Sequence, residues 1–197
     1  MPKTYTEKER QFIIKRLKEV ANDCLCLYGV KKTTVDEIVK RVNIPKGTFY
    51  LFYESKESLL FDVINDLHES IQSEFIHEVS ALGGQLTTDK ITNILCNLIK
   101  KLDETCLLKI MTNGDMELLM RKLPDKVVEE HLSHDDNSME QFLRFIPNAE
   151  SKNIKAFSGA LRGVFLTMLN KREIGEDVFD EALKIMIHGI ILQLMEG

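Results

Sequence analysis

Apolar residues recur every three or four positions along almost the whole chain, which places them on one face of an α-helix. The first such face carries Ile13, Leu17, Val20, Ala21, Cys24 and Tyr28. A capping box at Thr6-Glu7-Lys8-Glu9 marks its beginning, and Gly29 is suited to end it. The pattern therefore predicts a long first helix that finishes at Gly29.

Two shorter helical segments follow within residues 33–60. Thr34-Val35-Asp36-Glu37 forms a second capping box, and apolar residues continue at helical spacing to Val42. Asn43 tolerates the left-handed conformation that ends helices, and Pro45 suits the first position of a new helix. We expect that helix to run from Pro45 to about Phe52, followed by another that is capped by Ser55. Helix, short turn, short helix is the helix-turn-helix arrangement.

The sequence of this stretch is TVDEIVKRVNIPKGTFYLFYESKESL. It resembles the N-terminal domain of the tetracycline-repressor (TetR) family of bacterial transcription regulators, over about residues 7–65. Pro45 departs from the family, which usually has Ser there, and Asn43 replaces a common Gly. The resemblance implies a second helix that enters the major groove of DNA.

The DNA contacts that the resemblance implies are Thr34, Lys46, Gly47, Thr48, Tyr50 and Lys56. Lys46 would contact a phosphate or a base edge, and Gly47 would allow close approach of the backbone. Thr48 would read a base or bind phosphate, and Tyr50 would donate its hydroxyl to phosphate. Lys56 and Thr34 would bind phosphate at helix N-termini. Leu51 could touch a thymine methyl group or could belong to the core.

The charge distribution agrees with a DNA-facing N-terminal end. Residues 1–60 hold twelve Lys and Arg against eight Asp and Glu, whereas residues 61–197 hold fourteen against twenty-three. A basic head on an acidic body suits one end that faces phosphate.

Beyond the head, the pattern predicts only further helices. One begins near Lys56 and runs to about Val79, one follows Thr87, another is broken near Asn113-Gly114, and another begins at Pro124. We therefore expect an all-α protein with an N-terminal three-helix helix-turn-helix DNA-binding domain (1–55) and a C-terminal helical effector-binding and dimerisation domain (56–197).

The last two helices, about 152–170 and 177–195, are apolar around much of their circumference. A helix with more than one apolar face is buried on more than one face. These helices could be internal core, but their position at the end of the chain favours a homodimer interface, a four-helix bundle across a two-fold axis. A dimer would let two heads read the half-sites of a palindromic operator.

The family resemblance also implies a small-molecule effector that binds between the middle helices. Candidate lining residues are Met111, Met116, Met120, Met139, Phe142, Phe165 and Met168. Methionine adapts to irregular apolar shapes but also fills ordinary cores. The sequence assigns no effector.

Several other classes are disfavoured. There is no phosphate-binding glycine loop, H-E-x-x-H motif or nucleophile elbow, so we expect no enzyme and no cofactor. His131, His134 and Asp135 could share a helix face, but an acidic stretch of this kind is usually solvated, and we predict no metal site. We find neither a signal peptide nor an apolar run of membrane-spanning length, which favours a cytoplasmic protein without a membrane partner.

The sequence thus predicts a DNA-binding transcription regulator, a repressor that a small-molecule effector releases from a palindromic operator. Repression is implied by the family resemblance alone. The alternative is a helical protein-interaction adaptor without specific DNA binding. Salt-sensitive binding to a DNA palindrome separates the two.

Overall fold

The computed structural model describes residues 5–103, 105–130, 140 and 143–196. These residues are helical or lie in connecting turns, and they form no strand, as the apolar spacing predicts. The helices are α1 Glu7–Lys32, α2 Val35–Val42, α3 Lys46–Phe49, α4 Lys56–Ala81, α5 Thr88–Asp103, α6 Leu107–Thr112, α7 Asp115–Met120, α8 Ile154–Thr167, α9 Lys171–Ile174 and α10 Phe179–Met195. Residues 125–130 are also helical, and short 3₁₀ turns occupy Ala149–Ser151 and Met168–Asn170.

Helix boundaries follow the local signals closely. The Thr6 side chain accepts from the amide of Glu9 while the Glu9 carboxylate accepts from the amide of Thr6, so the first predicted capping box is complete. Asn43 adopts the left-handed conformation, with φ 63°, and ends α2. Gly114, with φ 72°, separates α6 from α7 at the predicted break.

Two boundaries differ from the prediction. Pro45 is the extended residue before α3 rather than its first residue, and α3 ends at Phe49. Turn hydrogen bonds from the amides of Leu51 and Phe52 continue the winding as far as the predicted end. Helix α1 continues to Lys32, although Gly29 interrupts its regular geometry with φ 74° and ψ 178°.

The chain forms two compact units, Met1–Leu67 with Lys109–Pro124 and His68–Leu108 with Asp125–Gly197. The first unit therefore extends past residue 55 into α4 and includes α7. Its buried side chains come from α1, α2, α3, the first turns of α4 and residues 110–123, among them Leu17, Ile38, Phe49, Leu60 and Leu119.

The second unit is built around α10. Leu183, Ile187, Ile191 and Leu194 form its buried stripe, and α10 packs against α5 and α8. Ile91 and Leu98 of α5 and Leu161 of α8 belong to the same core. One face of α10 is thus buried within the unit, whereas the opposite face carries exposed apolar side chains. In the described part of the chain, no helix is both long and apolar enough to cross a membrane.

Candidate nucleic-acid interface

Helix α2 and the turn behind it fix the beginning of α3. The Thr34 hydroxyl accepts from the Glu37 amide at 3.2 Å and caps α2. The Glu37 carboxylate pairs with Arg41 Nε at 2.7 Å, so only the Thr34 half of the predicted capping box forms. Residues 43–45 then connect α2 to α3, with the Ile44 amide bonded to the Val39 carbonyl at 3.0 Å.

Phe49 anchors α3, which is too short to be stable alone. The Phe49 ring is fully buried and meets the Tyr50 ring edge-on at a centroid distance of 5.3 Å. Tyr53 lies against the other part of this cluster and donates its hydroxyl to Asp62 at 2.7 Å. Burial and this hydrogen bond raise the pKa of Tyr53, so the phenol stays protonated. The short helix is therefore held by aromatic packing rather than by its own length.

The opposite face of α3, together with Tyr50 and Leu51 in the turn that follows the helix, is open to solvent and is called the α3 face below. Tyr50 and Leu51 are each 52% exposed. Leu51 therefore lies at the surface and not in the core. Gly47 is exposed too, and a Cβ added to it would meet no atom within 4 Å. Glycine in a helix costs about 0.5–1 kcal/mol relative to alanine. No contact within the described chain explains this glycine, whereas an external surface that approaches the backbone would.

Lys46 lies beside this open face but carries an internal partner. Its ammonium is 2.9 Å from one carboxylate oxygen of Asp36 and 3.0 Å from the other. The hydrogen bond to Asp36 raises the pKa of Lys46. Because the pair is largely exposed, a phosphate can compete with Asp36 for the ammonium.

Thr48 lies on the inner side of α3. It is only 7% exposed, and its hydroxyl is 3.3 Å from the Tyr5 hydroxyl. The Tyr5 ring also packs near Phe52, and Arg10 lies over the Phe52 ring at 4.9 Å. This geometry gives Thr48 an internal partner, and its predicted DNA contact stays a prediction. Tyr5 and Arg10 are not among the predicted site residues, since nothing near them in sequence signals a contact with this part of the chain.

Lys56 also has a different environment from the one expected of a phosphate ligand. Its ammonium donates to the carbonyl oxygens of Val30 at 2.5 Å and Thr33 at 2.6 Å, and its side chain is only 16% exposed. Burial lowers the pKa of Lys56. Two of its three donors hold the junction between α1 and α2, and the predicted phosphate contact stays a prediction.

The candidate effector residues are divided between the two compact units and the residues that the structure does not describe. Met111, Met116 and Met120 are half-buried in the first unit. Met168 belongs to the core of the second unit and Phe165 packs against that core. Met139 and Phe142, as well as His131, His134 and Asp135, lie outside the described residues. The lining of an effector site therefore stays a prediction.

A separate apolar surface lies on the exposed faces of α8 and α10. Ile185 is 65% exposed, and Leu166 and Leu192 are exposed as well. Added Cβ atoms at Gly159, Gly163 and Gly189 would meet nothing within 4 Å. A shallow depression on α10 is lined by Glu181, Lys184, Ile185, His188 and Gly189.

Comparisons with known proteins agree with the geometry of the N-terminal unit. Residues 19–63 match the family described as bacterial regulatory proteins, tetR family. An uncharacterized HTH-type transcriptional regulator of Bacillus subtilis, YdgC, is 30% identical over 78 residues, which is 40% of this chain and 39% of that protein. The chain matches 39% or less of the length of this and two other curated relatives.

Solved structures share the fold over nearly the whole chain. SCO4454, a TetR-family transcriptional regulator from Streptomyces coelicolor, superposes with a TM-score of 0.66 at 14% identity and covers 94% of this chain and 97% of its own. FadR from Bacillus subtilis, solved in complex with stearoyl-CoA, gives a TM-score of 0.63 at 14% identity, with coverage of 93% and 98%. The match thus assigns the helix-turn-helix of residues 19–63 to the domain described for the tetR family of bacterial regulatory proteins, and the solved structures show that the chain shares its overall fold with such regulators.

Proposed function

We propose that the protein is a sequence-specific DNA-binding transcription regulator that binds a palindromic operator as a homodimer. The observation that carries the proposal is the α3 face, where Lys46, Tyr50 and Leu51 surround a glycine with no internal contact to explain it. DNA fits this face because phosphates and base edges accept hydrogen bonds from such side chains, a thymine methyl group can contact leucine, and the glycine lets the protein backbone come close to the DNA.

The dimer is supported by the apolar faces of α8 and α10. Their inner faces already pack within the second unit, while Leu166, Ile185 and Leu192 remain exposed. A two-fold axis would cover both helices with the same faces of a partner copy. It would also present two α3 helices to two half-sites.

Release by a small-molecule effector is the finer part of the proposal. It is supported by the shared fold with FadR, which was solved with stearoyl-CoA. A ligand can release DNA only if it binds the non-DNA-binding arrangement better than the DNA-binding one. We infer repression from the family resemblance of the helix-turn-helix alone.

Selection from random DNA duplexes with the purified chain tests the DNA-binding proposal. We expect the wild type to enrich a palindrome, and Lys46→Ala and Tyr50→Ala to enrich it poorly or not at all. The matched controls are Lys126→Ala, an exposed lysine that pairs with Glu130, and Phe145→Ala, an exposed aromatic residue. Both controls should behave as wild type.

Two outcomes would overturn parts of the proposal. If no sequence is enriched at low salt and all variants behave alike, the chain is better explained as a helical adaptor. If a single half-site rather than a palindrome is enriched, the dimer is wrong while DNA binding by the α3 face stands. Titration of the operator complex with stearoyl-CoA as a first probe, followed by a panel of apolar small molecules, then tests effector release; a reporter gene behind the palindrome tests repression.

A further inference from the structure

Helix α1 contains a break that its length conceals. Gly29 has φ 74° and ψ 178°, a combination that is essentially restricted to glycine. In a continuous helix the Val30 amide would bond to the carbonyl of Cys26, four residues earlier. The break separates this donor from this acceptor, and each needs another partner if it is shielded from water.

Side chains from α6 and α7 supply both partners. The Val30 amide donates to Asp115 Oδ2 at 3.1 Å, and Lys109 Nζ donates to the Cys26 carbonyl at 3.4 Å. All four residues belong to the first compact unit. Residues 109–115 thus replace the backbone hydrogen bond that α1 lacks by two others, one to a carboxylate and one from an ammonium.

The side of the break that leads to α2 is held from another direction. Lys56 at the beginning of α4 donates to the carbonyls of Val30 and Thr33. The Thr33 hydroxyl donates to the Gly29 carbonyl at 2.7 Å. Since Thr34 begins the cap of α2 one residue later, these bonds fix the direction in which the chain enters the helix-turn-helix.

Gly29 and Asp115 are also closely fitted to each other. A Cβ added to Gly29 would lie 2.4 Å from Asp115 Oδ2, closer than the two atoms can approach. The backbone conformation therefore requires the glycine, and a larger residue there would also displace the carboxylate from the Val30 amide.

We propose that Asp115 is a positioning residue for DNA binding. By accepting a hydrogen bond from the Val30 amide at the Gly29 break, it sets the orientation in which α2 and α3 leave α1. This inference rests on the proposed function, because its consequence is measured as operator affinity. It adds a determinant that lies in α7, 85 residues along the chain from the amide that it holds.

The test compares Asp115→Ala, Asp115→Asn and Glu117→Ala. Glu117 is the matched control, since it is an exposed carboxylate on the same short helix and pairs with Arg121. Hydrogen exchange of the Val30 amide, measured by NMR without DNA, reports the contact itself. Operator affinity and affinity for unrelated DNA report its effect on reading, and thermal unfolding reports stability.

We expect Asp115→Ala to accelerate Val30 exchange and to weaken operator binding by about tenfold, while binding to unrelated DNA changes little. Asp115→Asn keeps an acceptor oxygen and should restore both values towards wild type, and Glu117→Ala should change neither. A purely structural role would instead lower the unfolding temperature and reduce both DNA affinities together.

The inference is overturned if Asp115→Ala exposes the Val30 amide and still binds the operator as wild type does. A wild type that enriches no operator would overturn the proposed function, and the exchange result would stand apart from it. If Asp115→Ala does not fold, Asp115→Glu moves the carboxylate by one methylene group and gives the same comparison.

Discussion

The α3 face and the exposed faces of α8 and α10 are both left uncovered within the chain, but they differ in chemistry. Around Gly47, α3 presents a lysine, a tyrosine and a leucine. Around Gly159 and Gly163, α8 presents mostly small and apolar side chains with Lys155 and Arg162 among them, and α10 adds Ile185. At each of these glycines an added Cβ would have open space.

The difference shows how one feature can serve two kinds of partner. A glycine without an internal reason permits close approach, and the side chains beside it determine what approaches. Donors beside Gly47 suit phosphate and base edges, whereas apolar side chains on α8 and α10 suit another helix pair. If this distinction is right, substitutions on the two faces should affect different measurements.

Ile185→Glu should have the largest effect. It places a charge in the centre of the proposed dimer face, and we expect a monomer by analytical ultracentrifugation. Because two linked heads gain about 10²–10⁴ in avidity, affinity for the palindrome should fall about 100-fold or more, while affinity for a single half-site is kept. Phe145→Glu, at a similarly exposed apolar residue outside these helices, is the control. A dimer that survives Ile185→Glu would show that this face is not the interface.

The head could be predicted closely from sequence because its boundaries depend on local chemistry. The Thr6 capping box, the left-handed Asn43 and the start at Pro45 each act within four residues, and the structure has α1, α2 and α3 where these signals place them, to within a few residues. The all-α class and the start of α4 at Lys56 followed from the same kind of signal.

The side-chain partners in the head could not be predicted in this way. The carbonyls that Lys56 binds lie 26 and 23 residues earlier in the chain, and Thr48 meets a tyrosine 43 residues away. Such pairs depend on how the helices pack, and the spacing of residues along the sequence does not predict them. The effector residues could not be assigned from sequence for another reason, since methionines that line a pocket and methionines that fill a core have the same pattern.

Gly47→Ala should change two properties in opposite directions: it should stabilise the fold and weaken operator binding. The added methyl group has room, so the free energy of unfolding should rise by about 0.5–1 kcal/mol. Operator affinity should fall by about tenfold, because the methyl group blocks close approach of the DNA. The same substitution at Gly159 should leave half-site affinity unchanged and weaken dimerisation. Tighter DNA binding by Gly47→Ala would remove the main support for DNA binding by the α3 face.

Lys46→Ala and Lys56→Ala compare an exposed lysine with a buried one. Loss of one phosphate contact should reduce the slope of log affinity against log salt by about 1, and we expect this for Lys46→Ala only. Lys56→Ala leaves the Val30 and Thr33 carbonyls without their donor, which costs about 1–3 kcal/mol of unfolding free energy. A reduced salt slope in Lys56→Ala at unchanged stability would support Lys56 as a phosphate ligand.

Asp36→Asn should have the smallest effect. It tests whether the carboxylate beside Lys46 limits binding to unrelated DNA. Asp36 holds Lys46 in the DNA-free protein and places a negative charge beside the phosphate path. Its removal should raise affinity for unrelated DNA about two- to threefold at low salt, because the Lys46 ammonium no longer has to leave a carboxylate to reach a phosphate. The gain should vanish in the Asp36→Asn/Lys46→Ala double variant if it acts through Lys46. Asp23→Asn, at an exposed carboxylate of α1, removes the same charge away from Lys46. An equal gain from Asp23→Asn would show a general effect of net charge, and the acidic residue would then have no particular role in keeping the α3 face selective.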